Sequence, residues 1–339
     1  MITISDVARH AGVSTMTVSR VINRSGYTSA PTRLRVERAV AHLGYVPNAL
    51  ARQLRSKRSK TLALLITDIT NPFFTSVARG AEDVAGDHGF GLLFCNTDES
   101  EEKEIEYVSM LIQRQVDGVL LVPASLSSRS MGLLRARAVP VVVVDRRVRA
   151  AGVDVVRGDS EGGAYQLIRH LLSLGHRRIA VLAGARSVST TLDRVAGYRR
   201  AFVEAGLKPD RDLVRYGGYH AAEGYEMAMG VLAMRRPPSA IFAVNNFIAA
   251  GALAAARTMG RRVPDDLSIV AFDDLPTNWL ADPFLTVAAQ PAYELGQRAA
   301  ELLLERLEGD GKRRARSIVL PTEVIVRRSS GPPARGLAA

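Results

Sequence analysis

The chain has 339 residues, 47% of them hydrophobic, and a formal net charge of +11. Such a length holds roughly two or three domains, and such a composition is that of a globular protein rather than a disordered or fibrous one. A single cysteine, Cys95, excludes an internal disulfide or a cysteine-built metal site, and no uninterrupted apolar run is long enough to span a bilayer.

The charge is unevenly placed. Residues 1–60 hold eleven lysines and arginines against two acids, Asp6 and Glu37, while the rest is nearly neutral. A basic head on a neutral body points to a polyanionic partner for the head, although a solubilising patch has the same composition.

In chain order, Thr3 and Asp6 have capping-box spacing, and Val7, Ala8 and Ala11 share one helical face before Gly12, a natural stop. Ser14 is placed to cap a second helix in which Val18, Val21 and Ile22 face inward. Met16, Ser19, Arg20 and Asn23 then point away, with Thr15 at the edge, on a side rich in hydroxyls and poor in charge. A third helix is predicted from a cap at Ser29, with Val36, Ala39, Val40 and Leu43 as its buried stripe and Gly44 as its end. Two short helices joined by a tight turn form a helix-turn-helix. Short outward side chains suit a DNA major groove. Arg20 matches guanine O6 and N7, Met16 and the Thr15 methyl can meet a thymine methyl, and Ser14, Thr17, Ser19 and Asn23 can reach phosphates. A helical bundle used for protein contact, with Arg20 solvated, fits the same spacing.

Pro47 breaks the third helix, and Asn48 can cap a fourth, short one carrying Ala49, Leu50, Ala51 and Leu54 among Arg52, Arg55, Lys57 and Arg58. A helix this short is not stable alone in water. It reads either as a basic linker or as a minor-groove element ordered by a second copy, with Leu54 wedged between base steps.

The stretches TISDVARHAGVSTMTVSRVIN and TRLRVERAVAHLGYVPNALARQLRS, with the body that follows, closely resemble the lactose/galactose-repressor (LacI/GalR) family of bacterial transcription regulators, up to about Arg328. The resemblance implies a homodimer on a palindromic operator in double-stranded DNA. It places Thr15, Met16 and Arg20 on operator-discriminating positions, and Asn48, Ala51, Arg52 and Leu54 in a minor-groove hinge helix with Leu54 as the wedge.

The body alternates apolar runs with helix-length segments. The runs are TLALLIT (61–67), FGLLFCN (90–96), DGVLLV (117–122), VPVVVVD (139–145), VDVVRGD (153–159), RIAVLAG (178–184), VRYGGY (214–219), AIFAVN (240–245), LSIVAFDD (267–274), LTVAAQP (285–291) and SIVLPTEVIVRRS (317–329). Continuous β-branched runs between helices imply parallel sheets covered on both faces, and so many runs imply two doubly wound lobes. The expected organisation is an all-α helix-turn-helix head (1–46), a hinge helix and linker (47–60), and an α/β body of periplasmic-binding-protein type (61–328). Lobe 1 is expected over about 61–158 and 291–318, lobe 2 over 159–290 and 319–328, and a disordered tail over 329–339. Cys95 is expected to be a buried strand residue.

Ligands in such sheets sit beyond the strands' carboxyl ends. There lie Asp68, Asn71, Phe73, Phe74, Asn96, Thr97, Asp145-Arg146, Asp159-Ser160, Thr190, Arg194, Tyr219, Asn245, Asn246 and Asp273. Carboxylates, amides, an arginine and aromatic faces are what a polyhydroxylated ligand needs. Each also has a plainer role: Asp68 and Asn71 as helix caps, one of Phe73 and Phe74 as core, Arg194 paired with a nearby glutamate. The resemblance implies effector contacts at Phe73, Thr190, Arg194, Tyr219, Asn246 and Asp273; Phe74 and Asp145 join them on chemistry. Val188 stands where some members carry a polar or basic contact, and Asn246-Phe247 replaces a frequent Asn-Asp. A sugar, a sugar acid or a nucleobase are the effectors considered.

The chain is therefore expected to be a ligand-responsive, sequence-specific DNA-binding repressor, cytoplasmic and nucleoid-associated, without cofactor or metal. A sugar-type solute-binding protein is the alternative that the body alone would fit. The absence of a nucleophile–histidine arrangement, metal cluster or phosphate-cradling loop gives no ground for an enzyme. The tail SGPPARGLAA carries no leucine heptad for a tetramer-forming coil.

Overall fold

Side-chain caps set the ends of the first helices. In the computed structural model, which describes residues 2–23, 25–46, 58–275, 282–309 and 314–334, Thr3 and Asp6 form a reciprocal capping box on helix α1 (Ile4–Ala11). Gly12 ends it at φ 63°, a left-handed conformation that glycine adopts without strain. The Ser14 hydroxyl accepts from Thr17 N at 3.2 Å and starts α2 (Thr15–Ile22). The third helix, α3 (Ala30–Leu43), begins differently from expectation. Ser29 occupies the cap position, but its hydroxyl donates to Thr32 Oγ1 at 2.9 Å and caps no backbone amide, while Pro31 sits in the first turn. Val7, Ala8, Ala11, Val18, Val36 and Ala39 form the buried core of this unit. The four expected hinge residues Asn48, Ala51, Arg52 and Leu54 lie outside the described residues.

Residues from Lys60 onward form a second compact unit. Its first strand, β1 (Thr61–Ile66), is buried on both faces, and the two-residue side-chain period sorts it into two layers. Leu62, Leu64 and Ile66 join the cluster containing Phe73, Phe74 and Val77 of α4 (Pro72–Asp87) and Leu295, Ala299 and Leu303 of α11 (Ala292–Glu308). Ala63 and Leu65 join the opposite cluster, with Val108 and Leu111 of α5 (Glu101–Gln113) and Leu134 of α6 (Ser130–Ala136). Helices α4 and α11 cross at Gly80 and Gly296. A Cβ on Gly80 would stand 2.0 Å from Tyr293 O, and one on Gly296 2.0 Å from Val77 O.

The remaining strands are β2 (Gly91–Asn96), β3 (Gly118–Leu121), β4 (Val141–Val144), β5 (Asp154–Gly158), β6 (Ile179–Ala183), β7 (Val214–Tyr216), β8 (Ala240–Ala243), β9 (Ser268–Phe272), β10 (Thr286–Ala289), β11 (Ser317–Leu320) and β12 (Glu323–Ile325). They build two six-stranded sheets, ordered β11-β5-β4-β3-β1-β2 and β12-β10-β9-β8-β6-β7. The orders are the same topology used twice, so each lobe-1 strand has a lobe-2 counterpart, β1 with β6 and β4 with β9. Only the closing strands differ: β11 runs parallel to β5, β12 antiparallel to β10. Cys95 is buried in β2, and burial pushes its thiol pKa up.

Two expectations change here. The single closing run at 317–329 is two strands interrupted at Pro321-Thr322, one in each lobe, so the crossing falls after Leu320 rather than at 318/319. The tail does not begin at 329. Ser329 is fully buried, its hydroxyl donates to Ile269 O at 2.6 Å, and Gly331 O lies 2.9 Å from His176 Nε2. A Ser-Gly-Pro composition hid a segment that the bottom of lobe 2 holds by hydrogen bonds.

Candidate functional site

On the head, Thr15, Met16, Arg20 and Asn23 are exposed on the outward side of α2, and Met16 keeps 63% of its surface in solvent. Met16 is therefore not part of the head's core. The aliphatic stem of Arg20 runs along the following turn, its Cδ 3.8 Å from where a Gly26 Cβ would stand. Ser14 Oγ and Thr17 Oγ1 are 2.9 Å apart, and Asn23 Nδ2 donates to Ser19 O at 2.8 Å and to Ser19 Oγ at 3.1 Å. The four residues expected at phosphates are thus pre-arranged as two bonded pairs, one at each end of α2.

In the body, a small cavity open to solvent lies at the strands' carboxyl ends and is lined from both lobes. Lobe 1 supplies Asp68, Asn71, Phe73, Phe74, Glu99, Asp145 and Arg146; lobe 2 supplies Thr190, Arg194, Tyr219, His220, Asn245 and Asp273. The loops after β1 and β6 deliver the aromatic and hydroxyl groups. Asn71 caps α4 through Phe73 N at 3.0 Å, which sets Phe73 and Phe74 at the cavity, both 6% exposed and packed edge to face. Core and lining are therefore both true of these two rings. Tyr219 lies flat on the backbone at Gly184, where a Cβ would approach its ring to 2.1 Å, and its hydroxyl is 2.5 Å from Thr191 Oγ1.

Two carboxylates occupy equivalent places at the ends of β4 and β9. Asp145 and Asp273 both have φ 65°, unusual for a residue with a Cβ. The Asp145 amide donates to Val156 O at 2.8 Å, and that of Asp273 to Ala288 O at 3.0 Å. Burial pushes the Asp145 pKa up to about 6, against the pull of Arg146 and Arg194. Burial also raises Asp273, opposed by Arg194 and by the bond from Gln290 Nε2 at 2.7 Å.

Two guanidiniums answer them. Arg194 on α8 (Ser189–Glu204) is 3% exposed. It lies 3.7 Å from the Phe272 ring centroid, donates to Val244 O, and stands 3.6 Å from Asp273 Oδ2. Its carboxylate partner is this aspartate, not a glutamate. Arg146 grips Glu99 through two 2.6 Å bonds; burial works against its charge, yet Glu99 outweighs burial and its pKa is raised. Among the described residues, Asp145 Oδ1, Arg146 Nε and Arg194 Nε nonetheless lack a hydrogen-bond partner in the lining.

Of the expected effector residues, Phe73, Phe74, Asp145, Thr190, Arg194, Tyr219 and Asp273 line this one cavity. Asn246 does not. It is 1% exposed, and its amide exchanges two 3.1 Å bonds with that of Asn71, joining the lobes beside the cavity. Asp159 caps the next helix through Gly162 N at 2.9 Å, and Asn96 accepts from Ile69 N at 2.7 Å, so neither is a lining residue. Glu99 and His220 were not anticipated. Across the rim, Leu126 N donates to Ser187 O at 2.8 Å, Arg147 N to Ser189 Oγ at 2.7 Å, and the Arg147 side chain pairs with Asp193.

Residues 59–325 match the family described as periplasmic binding proteins and sugar binding domain of LacI family, and residues 3–48 match bacterial regulatory proteins, lacI family. The HTH-type transcriptional regulator DegA of Bacillus subtilis strain 168 is 40% identical over 334 residues, covering 97% of this chain and 98% of that protein. Among solved structures, the transcriptional regulator CelR–cellobiose complex is 33% identical with a TM-score of 0.74, over 97% of this chain and 100% of that one. The lac repressor dimer bound to operator and the anti-inducer ONPF is 27% identical with a TM-score of 0.85, over 97% and 99%.

Proposed function

This chain belongs to the LacI family of bacterial regulatory proteins, and we propose that it represses transcription as a homodimer on a palindromic operator, under control of a small hydroxylated effector held between its two lobes. The carrying observation is the cavity itself. Both lobes contribute polar side chains to it, and three of their buried polar atoms lack hydrogen-bond partners among the described residues. A buried unsatisfied polar atom is costly, so a ligand whose hydroxyls complete these bonds favours the arrangement that brings both lobes to it. Ligand-dependent lobe geometry is how such a body biases a DNA-binding dimer.

In this reading Thr15, Met16 and Arg20 read bases and Ser14, Thr17, Ser19 and Asn23 hold phosphates, while Asn48, Ala51, Arg52 and Leu54 form the minor-groove hinge. A sugar is the effector class that the CelR–cellobiose likeness favours. Dimer formation is supported by the edge strand β2, where Leu93 and Phe94 are 39% and 45% exposed; Ile69, bonded to the end of that strand, is 48% exposed. In the same reading, the protein acts in the bacterial cytoplasm, at the nucleoid.

The test is anisotropy titration of the full chain against genomic fragments at two salt concentrations, with and without a sugar panel. Sequence preference, a steep salt dependence and an effector-dependent shift are expected. Affinity equal on all fragments would overturn the operator reading. Arg20→Ala should weaken specific binding by about 1–3 kcal/mol and relax preference at one base position, whereas equal weakening on random DNA would make Arg20 a phosphate contact.

A further inference from the structure

We infer that the effector carries a protonated amine, seated against Asp145 and the Arg194–Asp273 pair, so that the ligand class is an amino sugar or amino polyol rather than a neutral sugar or a sugar acid. The inference deepens the effector reading above and rests on it.

The argument is one of charge and unmet valence. The cavity lining carries four carboxylates, Asp68, Glu99, Asp145 and Asp273, and two guanidiniums, Arg146 and Arg194. Arg146 is engaged by Glu99 through both terminal nitrogens, and its Nε stands 3.7 Å from Asp145 Oδ2, beyond hydrogen-bond length. Arg194 is held by the Val244 carbonyl and faces Asp273. Asp68 accepts from Thr70 N at 2.8 Å and Thr70 Oγ1 at 2.6 Å, and His220 Nδ1 stands 3.9 Å from it. The lining thus carries more carboxylates than guanidiniums, and Asp145, 5% exposed, meets Arg146 only at 3.7 Å and leaves Oδ1 without a hydrogen-bond partner among the described residues.

A buried carboxylate whose charge is only partly offset and whose oxygen lacks a donor is costly. Without ligand, Asp145 relieves the cost by holding its proton up to about pH 6. A neutral hydroxyl can donate to Oδ1 but leaves the carboxylate charge in place. A carboxylated sugar adds to it. An ammonium supplies both the donor and the missing charge, and charge-assisted bonds are the strong ones. Hydroxyl oxygens on the same ligand can accept from Arg146 Nε and Arg194 Nε, the two unpartnered donors, with the ring's C–H face against Phe73 or Tyr219.

The experiment is calorimetry and thermal shift on the full-length chain at pH 7.5 with three matched series: glucosamine and galactosamine, glucose and galactose, glucuronate and galacturonate. The amines should bind at least about tenfold more tightly than their neutral parents, as expected for a hydrogen bond to a charged group, and the acids most weakly. In Asp145→Asn that ratio should fall toward one. Asp145→Glu, which keeps the charge, should keep its direction and controls for misfolding. Neutral sugars binding as well as amines, or acids binding best, would overturn the inference and leave the effector reading intact. No response to any series would remove the effector reading, and the inference with it.

Discussion

The two lobes repeat one strand order, yet they furnish the cavity unequally. Lobe 2 presents the more fully bonded aspartate. Arg194 is stacked on Phe272, tied to the Val244 carbonyl and paired with Asp273, which Gln290 also holds. Lobe 1 presents the counterpart aspartate at the same φ and with the same strand-end backbone bond, but leaves one of its oxygens bare. The difference teaches that the repeat supplied equivalent slots, and that the side chains around them specialised. Lobe 2 holds its aspartate with two partners and leaves Arg194 Nε open beside it, whereas lobe 1 leaves open an oxygen of the aspartate itself.

The largest expected effect comes from breaking the more fully bonded half. Arg194→Ala leaves Asp273 buried beside an empty guanidinium site, and removing one member of a buried pair typically costs about 3–5 kcal/mol. Urea unfolding should report that loss; a change below about 1 kcal/mol, the range of exposed ion pairs, would mean that the Arg194–Asp273 pair carries no more than the rim pair Arg147–Asp193.

The less fully bonded half should behave in the opposite sense. The folded-state pKa of Asp145, about 6, lies above the ordinary 3.8, so between those values the folded chain holds a proton that the unfolded chain has released. Wild-type stability should therefore fall as pH rises through that window, by about 3 kcal/mol, and stay level in this respect above it. Glu99 and Asp273 push in the same direction as burial, and Arg146 and Arg194 against it. Asp145→Asn removes the titration, so its advantage in melting temperature should be greatest above pH 6 and vanish near pH 4. An advantage independent of pH would show that Asp145 is already ionised at little cost.

How far this inequality could be read from sequence depends on the distance over which each feature acts. The strands were legible because both sheet faces are covered, so each appears as an apolar run such as Thr61–Ile66. The caps at Thr3 and Ser14 were legible because their partners are three residues away. Asp145 and Asp273 could be placed because strand ends converge in such folds, but their different partners could not. Asn246 looked like a ligand contact because its partner, Asn71, is 175 residues distant and no local pattern announces the pair. Glu99 sits at φ 58° in a loop with no periodicity, and only its bond to Arg146 brings it to the cavity. The break at Pro321 in the closing run was visible and its consequence was not, since the same residues read equally well as one strand.

The smallest effect concerns the link between the lobes. The Asn71 and Asn246 amides each donate to the other, so the pair ties the two lobes together. Asn246→Ala should cost about 1 kcal/mol, and a double-mutant cycle with Asn71→Ala should give a coupling of similar size. Asn71→Ala alone should cost more, because Asn71 Oδ1 also caps α4 through Phe73 N. Asn71→Asp separates the two roles: a carboxylate keeps the cap and can still accept from Asn246, but it has no N–H to give back. Small-angle scattering of the ligand-free variants should then show the lobes more open in Asn246→Ala than in wild type, with Asn71→Asp between them. Identical scattering from all three would mean that the rim contacts at Leu126 and Arg147 hold the lobes by themselves, and that the amide pair only fills space between halves already joined.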